Sequence, residues 1–445
     1  MEEKRVLYSA LHKEYPVIDH GEGMYIYDTT GKKYLDCAAG IAVVNVGHGV
    51  KEIIDKIHAQ LDNICFVYGG TFTSETRERL AKKIIDVAPE GMDKVFLCSG
   101  GSEAMESLIK FTRQYQVERG KLGKYKVISR WQSYHGNTLG TLSLGGRPSW
   151  REHFDELFPK FISHIPACNC YRCPYGLTEE TCNCQCALEL ERTIKYEGPE
   201  TVSAFVMEPV IGTTAAAVVP PKKYVEKVKE ICDKYDVLFC VDEVITGFGR
   251  TGANFAVDHY GVTPDLIGFA KGLGSGYVPV GGVIVNKKIV DAIAAGSGAL
   301  THAFTFSGTP LACAGAEAVL DYIVDNNLVQ RSYDMGEIFL EKLKALYKYP
   351  VVGDVRGLGL MLGIEFVQDK ETKAPFEFNF SGEVSKYCFD NGVMVTGGVP
   401  GSADGQIGDA MQIAPPFIIT EEDMDIVVDM LAKGIEHVME KHGIK

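Results

Sequence analysis

From about residue 94 onward, short runs of apolar and β-branched residues alternate with segments whose apolar positions recur at helical spacing. The apolar runs are KVFLC (94–98), KVIS (126–129), SAFVM (203–207), VLFCV (237–241) and VGGVIV (280–285). One helical segment, PPKKYVEKVKEICDKYD, begins with prolines, which a first helical turn tolerates, and places Val225, Val228, Cys232 and Tyr235 on one face. Buried strands joined by crossover helices predict an α/β fold with a mostly parallel sheet.

The segments before and after this region have different patterns. The first 60 residues contain short strands such as GMYIYDTTGKKYLDC, in which Thr30-Gly31 is the turn between two alternating runs. After about residue 311, the long helix LACAGAEAVLDYIVDN precedes the strand-rich VRGLGLMLGIEF and a final helix from Thr420. We therefore predict a large domain over 66–320 and a small α+β domain built from segments 1–65 and 321–445.

Composition and charge exclude several classes of protein. The net charge of −14 argues against a nucleic-acid partner, because no basic stripe offsets it. The N-terminal MEEKRVLYSALHKEY lacks the apolar core of a signal peptide, and no apolar run reaches the ~18 residues of a membrane span. Thirteen cysteines without an export signal indicate a reducing compartment. We expect a cytoplasmic protein with neither a nucleic-acid nor a membrane partner.

Four stretches that could carry chemistry follow predicted strand ends, where ligands collect in open α/β sheets. Gly101 and Ser102 precede a helix whose N-terminus favours a phosphate, and Tyr134 offers an aromatic face. Asp242 ends VLFCV, and Lys271 follows the apolar DLIGFA. Taken alone, each stretch has a structural explanation: a capped turn, a core aromatic, a paired acid and a solvated loop lysine.

Together they supply what pyridoxal phosphate needs from a protein. That cofactor needs a lysine for covalent attachment, a carboxylate against its pyridinium nitrogen, a phosphate cup and an aromatic face. The carboxylate keeps the ring nitrogen protonated, so the ring can accept electrons from the substrate α-carbon. The lysine amine, once substrate displaces it, is free to move the proton.

The chain resembles the class-III, fold-type-I pyridoxal-phosphate aminotransferases essentially end to end, from GEGMYIYDTTGKKYLD to PPFIITEED. The family's signature segment is matched by VDEVITGFGRTG and PDLIGFAKGLGSGYVPVGG. The resemblance implies a seven-stranded, mostly parallel sheet in a large cofactor-binding domain. It also implies a homodimer, or a dimer of dimers, with shared active sites.

The resemblance assigns roles to individual positions. Lys271 and Asp242 match the catalytic lysine and the partner of the pyridinium nitrogen. The implied contacts to the cofactor ring and phosphate are Val244, Tyr134, Gly101, Ser102 and, from the neighbouring subunit, Thr305. Arg356 matches the arginine that grips a substrate carboxylate, and Glu208 matches an acid near the active site. Ile41 and Val43 are candidates for shaping the substrate pocket.

Three departures from the family concern the amino acceptor. Asn137, in YHGNT, stands where many members that act on dicarboxylates have an arginine. Thr213, in EPVIGT, replaces a glutamate that masks the carboxylate arginine, and Ile245 replaces a glutamine beside the cofactor. These changes favour pyruvate over 2-oxoglutarate as the acceptor.

The segment CNCYRCPYGLTEETCNCQC places six cysteines within residues 168–186. The spacing of Cys170, Cys173, Cys182 and Cys186 is compatible with a structural zinc or iron–sulfur site. The alternative is an insertion loop with free thiols, some of them buried as small apolar residues.

The preferred function is transfer of an amino group from an amino acid or amine to a small keto acid, by a ping-pong mechanism. A racemase or epimerase of the same family remains open, since Lys271 can serve both reactions. A 2-oxoglutarate-dependent aminotransferase of the 4-aminobutyrate type is also open. From another class, the chain could be a scaffold whose cysteine loop binds a partner, although Lys271 and Asp242 argue against it.

Overall fold

The computed structural model describes residues 5–445, and its centre is a seven-stranded sheet with the order β4-β10-β9-β8-β7-β5-β6. These strands are β4 Met92–Cys98, β5 Lys126–Arg130, β6 Ile162–Ile165, β7 Val202–Met207, β8 Leu238–Asp242, β9 Leu266–Phe269 and β10 Gly281–Asn286. Only β10 runs antiparallel to its neighbours. The predicted α/β fold with a mostly parallel seven-stranded sheet is confirmed.

Helices pack on both faces of this sheet and bury their apolar stripes against it. The helices of the described chain are α1 Ala39–Ala42, α2 Lys51–Asn63, α3 Glu75–Val87, α4 Gly101–Glu118, α5 Leu139–Leu144, α6 Pro148–Arg151, α7 Gln185–Glu197, α8 Lys222–Lys234, α9 Lys287–Ala295, α10 Pro310–Asp325, α11 Leu328–Lys344, α12 Phe380–Asp390 and α13 Glu421–Lys441. Helix α8 buries Val225, Val228 and Cys232, as its spacing predicts. None of these helices is both long and apolar enough to cross a membrane.

Two smaller sheets flank the central one. They contain β1 Ile18–Glu22, β2 Tyr25–Asp28, β3 Lys33–Asp36 and β13 Val393–Met394 in the first, and β11 Val352–Leu358, β12 Met361–Phe366, β15 Asp409–Ile413 and β14 Thr396–Pro400 in the second. Because β13 pairs with β3, the N-terminal and C-terminal segments share one sheet. The domain bounds 1–65, 66–320 and 321–445 stay predictions, and residues 1–4 of the first segment lie outside the described residues.

The fully buried Arg250 joins three of these segments. Its guanidinium donates to the carbonyl oxygen of Leu360 at 2.9 Å, to that of Pro415 at 2.5 Å and to Asn45 Oδ1 at 2.7 Å. Those acceptors belong to the β11–β12 hairpin, the chain after β15 and the N-terminal segment. One side chain from the loop after β8 therefore satisfies three buried acceptors that are distant in sequence.

Replacing Arg250 with alanine is expected to lower the free energy of unfolding by at least about 3 kcal/mol, because each orphaned buried acceptor costs about 1–3 kcal/mol. The measurement is guanidinium chloride unfolding followed by intrinsic fluorescence. The control is Arg192→Ala, whose side chain is 62% exposed on α7. Equal denaturation midpoints for the two variants would contradict this role of Arg250.

Candidate active site

The carboxyl ends of β5, β7, β8 and β9 converge on a cavity of about 150 Å³. It is lined by Gly101, Ser102, Tyr134, His135, Gly136, Glu208, Val210, Asp242, Val244, Ile245, Thr246 and Lys271. Eight of the residues discussed above from the sequence are in this set, and they come from five separate segments of the chain. The parallel sheet accounts for the convergence, since its strands deliver their C-terminal residues to one edge.

Asp242 ends β8 and is nearly inaccessible, with 5% of its surface exposed. Its Oδ2 is 2.8 Å from His135 Nδ1, and its Oδ1 accepts from the Val244 N–H at 3.0 Å. His135 Nε2 in turn lies 3.3 Å from Ser129 Oγ. These two hydrogen bonds fix the orientation of the carboxylate toward the cavity.

The adjacent Glu243 stabilises a nearby turn and does not face the cavity. It accepts hydrogen bonds from the Thr246 hydroxyl and from the N–H groups of Ala256, at 2.9 Å, and Val257, at 2.8 Å. Burial raises the pKa of Glu243 to about 7. The two neighbouring acids therefore separate into one that faces the cavity and one that holds the turn at 256–260.

Lys271 follows β9 and brings its amine to the same cavity. Its Nζ donates to the carbonyl oxygen of Ile41 at 3.2 Å. Burial lowers the pKa of this amine to about 8, against the weaker opposing effect of Asp242. An amine with such a pKa is partly neutral near pH 8, and the neutral form is the nucleophile.

Of the two predicted pocket residues Ile41 and Val43, the structure brings only Ile41 to the lysine, and it does so through the Ile41 main chain. Its side chain is 49% exposed. Val43 is half-buried and does not line the cavity. The substrate-shaping role of these side chains stays a prediction.

The cavity has room for a phosphate group at the N-terminus of α4. A β-carbon on Gly101 would lie 2.9 Å from Val244 Cγ1, so the glycine keeps that corner open. Gly136 has a φ of +132°, and a β-carbon there would lie 2.7 Å from Ser102 Oγ. The first-turn N–H groups of α4 have no side-chain cap, which leaves them available to an anion.

Glu208 is buried beside this cluster, and burial raises its pKa. Its carboxylate accepts from the N–H groups of Tyr134 at 3.3 Å and Gly212 at 3.1 Å. It thereby fixes the backbone that presents the Tyr134 ring to the cavity. His135 is a functional residue that the sequence analysis did not single out, although its place directly after Tyr134, in the loop that follows β5, could have indicated it.

Arg356 does not line the cavity. Its guanidinium donates to the carbonyl oxygens of Ala215 and Ala216, and its Nη1 lies 2.7 Å from Asp354 Oδ2 and 2.8 Å from Glu365 Oε2. The two acids neutralise its charge, and Glu365 is fully buried. These contacts favour a structural role for Arg356, and its grip on a substrate carboxylate stays a prediction.

Three further predicted residues, Thr305, Asn137 and Thr213, lie outside the cavity. Thr305 is exposed, as is Asn137, whose backbone N–H donates to Ser102 Oγ at 3.0 Å. Thr213 is half-buried in the loop that follows β7, and Ile245 alone of the three acceptor-related positions lines the cavity. The predicted contact of Thr305 belongs to a neighbouring subunit and stays a prediction.

The predicted metal ligands are Cys170, Cys173, Cys182 and Cys186, and two of them, Cys170 and Cys186, form hydrogen bonds with Cys168. Within residues 5–445, no three His, Cys, Asp or Glu side chains are arranged to hold a metal ion. Cys182 Sγ instead accepts from the Gln185 N–H at 3.4 Å, and a hydrogen bond with Cys168 lowers the pKa of the Cys170 thiol to about 7. Spacing along the chain brings these cysteines into one segment, but the loop does not turn them toward a common centre. The structure thus does not support a zinc or iron–sulfur site.

Comparison with known proteins agrees with this geometry. The family model for class-III aminotransferases matches residues 8–435. The uncharacterized aminotransferase YodT of Bacillus subtilis (strain 168) is 38% identical, with 96% of each chain covered. The putrescine–pyruvate aminotransferase of Pseudomonas aeruginosa is 36% identical over 94% of this chain and 90% of its own. The omega transaminase of Pseudomonas jessenii, solved in complex with PMP, superimposes with a TM-score of 0.91 at 34% identity, over 97% of this chain and 94% of its own. The protein belongs to the class-III aminotransferases, the enzymes that use pyridoxal phosphate to transfer amino groups.

Proposed function

We propose that this aminotransferase moves an amino group from an amino acid or amine to pyruvate or a keto acid of similar size, by a ping-pong mechanism. The observation that carries the proposal is the shared cavity of Lys271 and Asp242, with the Gly101–Ser102 corner beside them. Those residues fit pyridoxal phosphate: an amine, an oriented carboxylate and free N–H groups at a helix start. A relative that acts with pyruvate, the putrescine–pyruvate aminotransferase, supports the acceptor.

When bound, the cofactor supplies an aldehyde that exchanges for an amine and a ring that accepts electrons from the substrate α-carbon. Lys271 would hold it covalently and, once released, move the proton at the substrate α-carbon. Asp242, oriented by His135 and the Val244 N–H, would hold a proton at the ring nitrogen. The first-turn N–H groups at Gly101 and Ser102 would bind the phosphate, and Val244 and Tyr134 would pack against the ring. Because donor and acceptor use one cavity in turn, a ping-pong order follows.

The charges around the cavity support a small acceptor with one carboxylate. Lys271 is the one cationic side chain among the residues that line the described cavity, and Glu208 and Asp242 are both acids. A second carboxylate would need its own cation, because burying an unpaired charge costs several kcal/mol. Asn137 does not supply that charge, and Arg356 is occupied by Asp354 and Glu365.

An aromatic surface near Thr305 supports assembly into a homodimer or a dimer of dimers. Phe306 is 62% exposed and its ring centroid lies 5.9 Å from that of Phe66. Tyr68 and Phe72, farther along the same loop, are also exposed. Large apolar side chains grouped in this way mark interfaces, and covering them with a second copy would place Thr305 beside the partner.

A reducing compartment such as the cytoplasm is part of the proposal. All thirteen cysteines are present as free thiols, including the six of residues 168–186. In an oxidising compartment, thiols this numerous would be expected to pair.

The apoprotein should capture pyridoxal phosphate at a rate that rises with pH and levels off above about pH 8. The reason is the depressed pKa of Lys271, which is about 8, so its amine becomes neutral two pH units earlier than an ordinary lysine. Stopped-flow absorbance between pH 6.5 and 9.5 measures the rate.

Lys271→Ala is the control, and after borohydride reduction it should retain no covalently attached cofactor. Two results contradict the assignment: a capture rate that still climbs tenfold per pH unit above pH 8.5, or covalent attachment in the alanine variant.

Pyruvate should outperform 2-oxoglutarate by about tenfold or more in kcat/KM, which corresponds to ~1.4 kcal/mol. The cause is the missing cation for a second carboxylate. Steady-state assays with both acceptors and one common amine donor measure the ratio. Asn137→Arg should reduce the ratio of kcat/KM for pyruvate to kcat/KM for 2-oxoglutarate, and Asn137→Gln is its uncharged control. A native preference for 2-oxoglutarate would overturn the proposed acceptor while leaving the aminotransferase assignment intact.

A further inference from the structure

Arg147 has no partner in a protein whose other arginines are all engaged. From Arg77 to Arg356, every other arginine of the chain donates a hydrogen bond or forms an ion pair. These are Arg77, Arg79, Arg113, Arg119, Arg130, Arg151, Arg172, Arg192, Arg250, Arg331 and Arg356. Arg147 forms neither with any residue of 5–445, and its Nε is buried without a hydrogen-bond partner. Its charge is thus unbalanced.

The position of Arg147 connects it to the active-site cavity. The guanidinium carbon lies 4.7 Å from the centroid of the Trp150 ring. Trp150 in turn meets the Tyr134 ring edge to face, with centroids 5.3 Å apart. Tyr134 lines the cavity that contains Lys271 and Asp242. Arg147 is therefore connected through Trp150 to Tyr134, and its charge also acts directly on the Tyr134 phenol.

Within residues 5–445, no carboxylate forms an ion pair with Arg147, and Tyr134 is the titratable neighbour that acts on its guanidinium. Burial lowers the pKa of its guanidinium, and burial together with nearby Asp242 raises the pKa of Tyr134, so the phenol is neutral at physiological pH. An arginine remains charged under these conditions, and a half-buried cation without a partner is unfavourable. Stacking on Trp150 recovers part of the cost and fixes the guanidinium plane, which leaves its donors for an anion.

We propose that Arg147 binds the substrate carboxylate and is a specificity-determining residue of this enzyme. The planar guanidinium suits a carboxylate, which accepts two parallel N–H bonds. The role was expected of Arg356, which the fold has already occupied. The inference rests on the proposed function, because it assigns the carboxylate of the keto-acid acceptor to this cation. One cation of this kind accommodates one carboxylate, which agrees with a pyruvate-sized substrate.

Substituting Arg147 with glutamine tests the role by comparing a charged and an uncharged acceptor of the same size. The KM for pyruvate is expected to rise at least about tenfold in Arg147→Gln, the loss typical of one charge-assisted hydrogen-bonded pair. The KM for propanal, which has no carboxylate, should stay within about twofold. Arg147→Lys should recover part of the pyruvate affinity, and Arg192→Gln, which removes an exposed charge, should change neither KM.

Binding can be followed without turnover through the indole that Arg147 stacks on. The chain has two tryptophans, so Trp131→Phe leaves Trp150 as the reporter. Titrating the pyridoxal-phosphate form of this holoenzyme with pyruvate, with no amine donor present, should change the fluorescence saturably without transfer of an amino group. The fluorescence change should be absent in the double variant that carries both Trp131→Phe and Arg147→Gln. It should also be absent when propanal replaces pyruvate.

The outcomes separate this inference from the proposed function. Normal pyruvate affinity and an unchanged titration in Arg147→Gln would overturn the inference while the aminotransferase activity stands. A loss of cofactor affinity, with the pyruvate KM unchanged, would also overturn it, because the guanidinium would then serve the phosphate. Arg147-dependent pyruvate binding in a protein that transfers no amino group to pyruvate would leave the inference standing and refute the proposed acceptor.

Discussion

The parallel pairing of β8 with β9 is the constraint on which the active site depends. In that register Asp242 lies opposite Gly268, so Lys271 follows only three residues beyond the cross-strand partner of the acid. Residues 243–265, between the end of β8 and the start of β9, form the crossover that parallel strands require. Gly268 has no side chain, and a β-carbon there would lie 2.4 Å from Met105 Sδ on α4. The same glycine therefore allows α4, and with it the Gly101–Ser102 corner, to approach the two reactive groups.

The distribution of charge follows from how the fold assigns its buried polar groups. Asp242 and Glu243 are neighbours in sequence, yet alternation along the strand directs one to the cavity and the other to the 256–260 turn. The arginines divide in a similar way. Arg250 and Arg356 are used inside the fold, whereas Arg147, held between Gly146 and Pro148 and stacked on Trp150, keeps its donors free. An arginine can bind a substrate only if its donors are not used in hydrogen bonds within the fold.

Sequence reasoning predicted the features that depend on local pattern and strand order. The buried strands 94–98, 126–129, 203–207, 237–241 and 280–285 all lie in the central sheet, because continuous apolar runs are typical of strands covered on both faces. The short strand β6 was not singled out, since four residues carry little periodicity, whereas β9 lies within the apolar run DLIGFA that precedes Lys271. The partners of individual side chains were harder to predict from the sequence. Whether Arg356 is free depends on Glu365 and on the Ala215–Ala216 carbonyls, which are distant in sequence. The cysteine spacing likewise did not determine the direction of each thiol.

The N-terminal segment completes the site through its main chain, which no residue pattern could reveal. Ala39, Gly40, Ile41 and Ala42 all have positive φ values, between 46° and 68°, and the three that are not glycine cost about 1–3 kcal/mol each in this region. Asp36 offsets part of that cost, since its Oδ1 accepts from the N–H groups of Ala38 at 3.2 Å and Ala39 at 2.7 Å. The left-handed turn points the Ile41 carbonyl at Lys271 Nζ. This carbonyl gives the buried amine an acceptor that carries no formal charge, so the amine is held in place while its pKa stays near 8. A carboxylate in the same position would raise that pKa and keep the lysine protonated. The strained turn thus holds the lysine without suppressing its reactivity.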